Sequence, residues 1–185
     1  MDELKLTLAE EGFFTFSLEY IYEKTIDGGL FMALVAIYTI GSLNHPYDHP
    51  ISREFYEMGY KVMRQAFVSG DLIEEFSSDE VLFPEEAKGK GYPVLTLTVW
   101  KSLQSLHRFS YSGKHSQALR KRSRWMHPSE EKHLSYVVWW ADKVKDVSWE
   151  EAFKRYNYYI QYGPTPFAFD FKHSFDEKGD AFLVK

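Results

Sequence analysis

Apolar and polar positions change period several times along the chain, and each change marks an element. Residues 30–40, LFMALVAIYTI, are almost continuously apolar, rich in Val, Ile, Phe and Tyr, and lie between Gly29 and Gly41. That pattern predicts a central strand buried on both faces. Residues 51–67 place Ile51, Phe55, Met58, Val62 and Ala66 at steps of three and four, which predicts a helix with one buried face. Pro50 suits the first position of that helix, with Asp48 and His49 at its cap. A short strand is expected at residues 80–83, then a turn through PEEAKGKGYP, then VLTLTVW as its hairpin partner. This last run sets Leu95, Leu97 and Val99 on one side against Thr96, Thr98 and Trp100 on the other, a strand between two different environments. Residues 105–125 read as helix interrupted near Gly113, and HLSYVVWW as a further strand. SWEEAFKRYNYYIQYG carries Ser148 as N-cap, Glu151 at the capping-box position and Gly163 past its end, so it predicts another helix. FAFDF suits a final short strand, and the alternation over residues 14–22 an N-terminal strand or arm.

Without the arm and the tail, the order is β, α, β, β, α, β with an added helix and strand. This is an α+β chain on the split-βαβ, ferredoxin-like plan. The expected divisions are an arm at 1–29, one domain at 30–176 and a tail at 177–185. At 185 residues one domain is the default. Aromatic residues make up 18% of the chain, an excess that favours a protein with a pocket or a partner. A net charge of −5 weighs against nucleic-acid binding, which needs a basic surface to release counterions. There are no cysteines, so thiolate catalysis and zinc-thiolate sites are excluded. The apolar run GLFMALVAIYTIGSL falls short of the ~20 residues that cross a membrane, and MDELKLTLAEE opens acidic rather than as a signal peptide. A cytoplasmic location without membrane association is expected.

The chemistry-bearing residues concentrate in VWKSLQSLHRFSYSGKHSQAL, residues 99–119. His115 can act as acid or base near neutral pH, or its ring can brace the broken helix beside Gly113. Tyr111 can donate to a substrate oxygen or a developing oxyanion, or sit in the core with its hydroxyl satisfied. Trp100 and Trp140 are expected on strands, as aromatic walls for a flat ligand or as plain core. The cations of RKRSR, residues 120–124, fan round more than half a helix and read as a solvated face, with Arg122 able to turn inward toward an anionic group. NHPYDHP offers His45, Asp48 and His49, but no second group of ligands completes a metal shell, and no metal site is expected. No phosphate-cradling loop, HExxH, GxSxG or dinucleotide fingerprint occurs, which removes kinase, serine-hydrolase and nicotinamide chemistry.

VWKS followed by Phe109, Ser112 and Ala118 resembles the strand-to-helix signature of the dimeric α/β-barrel superfamily of small monooxygenases and haem-degrading enzymes. Phe109-x-Tyr111, His115, Leu119-Arg120-x-Arg122, Trp125, VVWW and GPTPFAFDF together resemble domain-of-unknown-function family 3291, which is grouped with that superfamily. The likeness runs over roughly residues 30–175 and is strongest after Val94. It implies a four-stranded antiparallel sheet, a ligand cavity between sheet and helices with His115 at its mouth, and a homodimer that closes a barrel. Two apolar sheet faces and few helices to cover them argue for the same dimer. Haem-degrading members carry an axial histidine where this chain has Leu119, which cannot ligate iron, so haem would need His115 or His107 in another pose.

The expected function is a small-molecule-transforming enzyme resembling cofactor-independent monooxygenases, acting on a flat hydrophobic or aromatic substrate. His115 and Tyr111 are the catalytic candidates; Trp100, Arg122, Trp125 and Trp140 are the substrate-binding ones. The alternative is a non-catalytic dimer that holds a small ligand or haem. A polar group with a shifted pKa inside the cavity favours the enzyme, and a wholly apolar cavity the binder.

Overall fold

The computed structural model describes residues 33–78, 81, 91–128 and 134–185, and the backbone of two short strands further upstream. Those two, β1 (Thr7–Leu8) and β2 (Phe14–Thr15), pair antiparallel. The remainder of the expected arm lies outside the described residues.

The apolar run forms β3 (Leu34–Leu43), the long inner strand of a four-stranded sheet. Gly41 does not end it. A side chain there would meet Met126 Sδ at 2.8 Å, so glycine lets the strand continue beneath the end of a helix. Helix α1 (Pro50–Ser69) follows, with His49 Nδ1 accepting the Ile51 N–H and Gly70 closing it at φ 69°. Next comes β4 (Leu72–Glu75), which is the true edge partner of β5 (Tyr92–Trp100). The expected strand at residues 80–83 is therefore corrected: Val81 is not in a strand, and the rest of that stretch lies outside the described residues. The helical region is two helices, α2 (Leu103–Ser110) and α3 (Gly113–Trp125), broken where the glycine predicted it. Strand β6 (Tyr136–Ala141) and helix α4 (Trp149–Tyr162) complete the main elements, with Ser148 Oγ accepting the Glu151 N–H at the cap.

The sheet order is β4-β5-β3-β6, all antiparallel, which is the ferredoxin-like arrangement. FAFDF is not a strand. It makes two isolated bridges: Val138 and Phe169 exchange backbone bonds at 2.8 and 2.9 Å, and Ala168 pairs with Thr165 just upstream. The chain beyond it folds back as the small hairpin β7 (Ser174–Phe175) and β8 (Ala181–Phe182), and Val184 of the expected tail is buried in the core.

Alternation along the strands divides the sheet into two faces. Ala36, Tyr38, Leu97, Val99, Val137 and Trp139 face α4 and are fully buried with its Ala152 and Tyr156. Val35, Ile37, Trp100 and Val138 face the opposite way, toward α1 and α2. The chain thus supplies cover for both faces. Helix α4 lies over the face that a second copy was expected to cover. Among the described residues no helix is long and apolar enough to cross a membrane.

Candidate functional site

A cavity of about 330 Å³ lies between the sheet and helices α1 to α3. Its floor is read from the strand register. Thr96, Thr39 and Tyr136 stand in one row across β5, β3 and β6, and Glu75 and Thr98 stand beside it at the β4 edge. Thr39 Oγ1 and Thr96 Oγ1 are 2.6 Å apart, and Trp100 donates its indole N–H to Thr98 Oγ1 at 2.9 Å. The roof is mostly apolar, with Phe55, Met58 and Val62 from α1 and Phe109, Ala118 and Leu119 from α2 and α3. A polar floor under an apolar roof is the composition of a small-molecule site.

The helix break builds the site's first titratable group. In a continuous helix the Ser110 carbonyl would accept the Lys114 N–H. Gly113, at φ 52°, turns the backbone away from that bond. Side chains replace it: Gln65 Oε1 accepts the Lys114 N–H at 2.6 Å, and His115 Nδ1 lies 2.7 Å from the Ser110 carbonyl. A carbonyl can only accept, so Nδ1 carries the proton and Nε2 of the neutral ring carries the lone pair. Burial pushes the His115 pKa below its ordinary value, against the opposing pull of the Ser110 carbonyl. The ring is therefore neutral at neutral pH, braces the break through one nitrogen and keeps the other basic.

The second group, Glu75, is one the sequence pattern missed. Leu72 pairs with Trp100, but Glu74 pairs with Val99 and Glu75 with Thr98, so the register slips by one residue at Ile73. Period-two alternation from Leu72 would turn Glu74 toward the cavity; the bulge turns Glu75 there instead. Its Oε2 is buried with no hydrogen-bond partner among the described residues. Burial, with the charge of Glu74 adding, pushes its carboxyl up to about 7. The wall also holds Tyr56 and Tyr136, whose pKa values burial raises further, so both stay protonated. Tyr136 takes the Phe171 N–H at 3.3 Å and interacts with the Tyr111 hydroxyl.

The family model described as Domain of unknown function (DUF3291) matches residues 34–182. The chain belongs to this family. The DUF3291 match spans every strand of the main sheet and all four helices. No curated protein matches the chain. A crystal structure of a conserved protein from Methanosarcina mazei Go1 is similar at 14% identity and a TM-score of 0.42, over 58% of this chain and 92% of that one.

Of the residues singled out from the DUF3291 sequence, His115, Tyr111, Trp100, Arg122 and Trp125 all line the cavity. Tyr111 is at its mouth, more than half exposed, with its ring against His107 and Phe171. Arg122 turns inward and donates to Ser135 Oγ at 3.1 Å, whereas Arg124 forms a two-pronged pair with Glu54 on the surface. Trp140 is corrected: it does not line the cavity, and its indole N–H donates to the Phe175 carbonyl at 2.7 Å, holding the C-terminal segment. His45 and His49 stack on each other at 4.1 Å, with His49 spent on the α1 cap. Among the described residues no three His, Asp or Glu side chains gather as a metal site. Leu119 does line the cavity, but as a hydrocarbon.

Proposed function

We propose that this protein is a small-molecule-transforming enzyme, resembling cofactor-independent monooxygenases, whose cavity takes a flat hydrophobic substrate and whose His115 removes a proton from it. The observation that carries the reading is the His115 tautomer. Its Nδ1–H is committed to the Ser110 carbonyl at 2.7 Å, so a neutral, positioned Nε2 remains as the base. Tyr111 and Tyr136 supply phenolic O–H donors near one another, suited to a developing oxyanion. Trp100, Phe109 and Trp125 supply aromatic wall. Abstracting a proton is the step that makes an aromatic substrate electron-rich enough to meet dioxygen without a cofactor, and haem has no part in this scheme. A homodimer that closed through the sheet face would have to displace α4, so any pairing of protomers uses another surface.

The test is His115→Asn, whose amide keeps a donor where Nδ1–H stands but has no Nε2. Wild type and variant are incubated under air with a small-molecule extract, and the mixtures are compared by mass spectrometry. The expected result is a hydrophobic compound that wild type consumes and the variant leaves, with turnover down ~10²–10⁴-fold and melting temperatures close together. Equal consumption by both proteins would remove His115 from the chemistry. Compounds that are retained but never altered would make the protein a binder.

A further inference from the structure

The scheme above gives Glu75 no role, yet this carboxyl is the group the cavity treats worst. It stands on the β4 edge of the floor with one oxygen buried and unpartnered among the described residues. Trp100, Phe55, Tyr56 and Phe76 line the same cavity. An unpaired carboxyl in apolar surroundings is costly, and among the described residues the cavity's one lining cation, Arg122, is engaged with Ser135 next to β6, at the opposite edge of the sheet from β4. We propose that the cavity takes an organic amine, with its ammonium seated on Glu75 and its carbon skeleton against the aromatic wall.

A ligand ammonium supplies the charge-assisted hydrogen bond that Glu75 lacks, and aromatic rings add cation–π attraction. The other charged and titratable groups around the cavity agree with this polarity. Glu74, next on the strand, pairs with Val99 and faces the other side of the sheet. Asp71, just before β4, is paired with Arg108 at 3.1 Å. Tyr56 from α1 and Tyr136 from β6 stay neutral, and so does His115 from α3. Arg122 repels an ammonium from the far end and thereby orients the ligand. A carboxylate ligand would meet an ionised Glu75 and be rejected. The inference rests on the cavity being the ligand site, as in the proposed function, and specifies what that site accepts.

Calorimetric titration with 2-phenylethylamine and with 2-phenylethanol separates the two ideas. At pH 8 the amine should bind at least tenfold more tightly than the alcohol. Glu75 ionises at about 7, so amine affinity should fall about tenfold from pH 8 to pH 6, where the amine itself remains charged. Glu75→Gln should erase both the preference and the pH dependence. Equal binding of amine and alcohol, or an amine preference that survives in Glu75→Gln, overturns the proposal while leaving the cavity as a site for neutral ligands. Binding of neither probe overturns the proposal and counts against the cavity reading as well. The wild-type pH series stands by itself should the variant fail to fold.

Discussion

Glu75 is half-buried, with one carboxylate oxygen enclosed and unpartnered among the described residues, so replacing it should stabilise the protein, and only above a particular pH. An ordinary glutamate titrates at 4.5, and Glu75 in the folded chain at about 7. Between those values the folded state holds a proton that the unfolded state has released, so stability falls as pH rises through this window. Below 4.5 both states are protonated and above about 7 both are ionised, so the loss is complete only on the alkaline side. The full gap corresponds to ~3 kcal/mol, and partial wetting of the residue reduces this to ~2 kcal/mol. Glu75→Gln is neutral at every pH and nearly the same shape. Its stability should therefore lie within ~0.5 kcal/mol of wild type at pH 5 and exceed it by ~2 kcal/mol at pH 8, roughly 4–8 °C in melting temperature for a chain of this size. Urea unfolding of both proteins from pH 5 to pH 8 measures the difference, and every other titrating group cancels from it. Parallel curves would mean that Glu75 titrates normally and that its enclosed oxygen is not desolvated.

Trp140→Phe should cost ~1 kcal/mol through the lost bond to the Phe175 carbonyl while leaving the amine titration unchanged; a shift in binding would return Trp140 to the site. Asp170 behaves in the opposite sense to Glu75. Burial pushes its pKa up, but the Tyr159 hydroxyl at 2.5 Å and the His173 and Lys172 N–H groups outweigh it and hold the carboxyl below its ordinary value. Its contribution is present above the unfolded value of 3.8 and is lost as pH falls through the folded one, so Asp170→Asn should lose ~1–3 kcal/mol at pH 7 and show a flatter acid limb in unfolding. An unchanged acid limb would mean that the network does not hold the carboxylate.

Much of the fold was legible because long elements carry strong periodic signals. The run through Val35 and Tyr38, the three-four spacing from Ile51 to Ala66 and the Leu95-Leu97-Val99 alternation each met the environment they implied. Gly113 marked the helix break because only a left-handed residue there releases the Ser110 carbonyl. Short elements were not legible. LIEE has two apolar residues and lies on an edge, where one face of a strand needs no hydrophobic partner, so its pattern predicts no strand there. The bulge at Ile73 hid Glu75 further, since alternation assigns the inward carboxyl to Glu74. FAFDF has the alternation of a strand but meets the main sheet only through the Val138–Phe169 bridge, its Ala168 pairing locally with Thr165. Trp140 is on the correct face yet in the Trp100–Val35 row, away from the Tyr136 end that meets the cavity. The caps at Ser148 and Gly163 marked where α4 begins and ends without showing which side of the sheet receives it.

The two faces of the sheet are covered by one chain but not filled alike. On the α4 side Tyr38, Trp139 and Tyr156 pack to near-zero exposure, with rings crossing edge to face. On the other side the same sheet floors a cavity, and the helices above it include one broken at the point where His115 enters. A chain able to pack the first face so closely faces no general shortage of hydrophobic volume on the second. The open space and the unpartnered Glu75 each lower stability, and both occur around one cavity. Costs that coincide in this way are retained where a ligand repays them. A ligand at a hundred times its Kd returns ~2.7 kcal/mol, about what an ionised Glu75 removes.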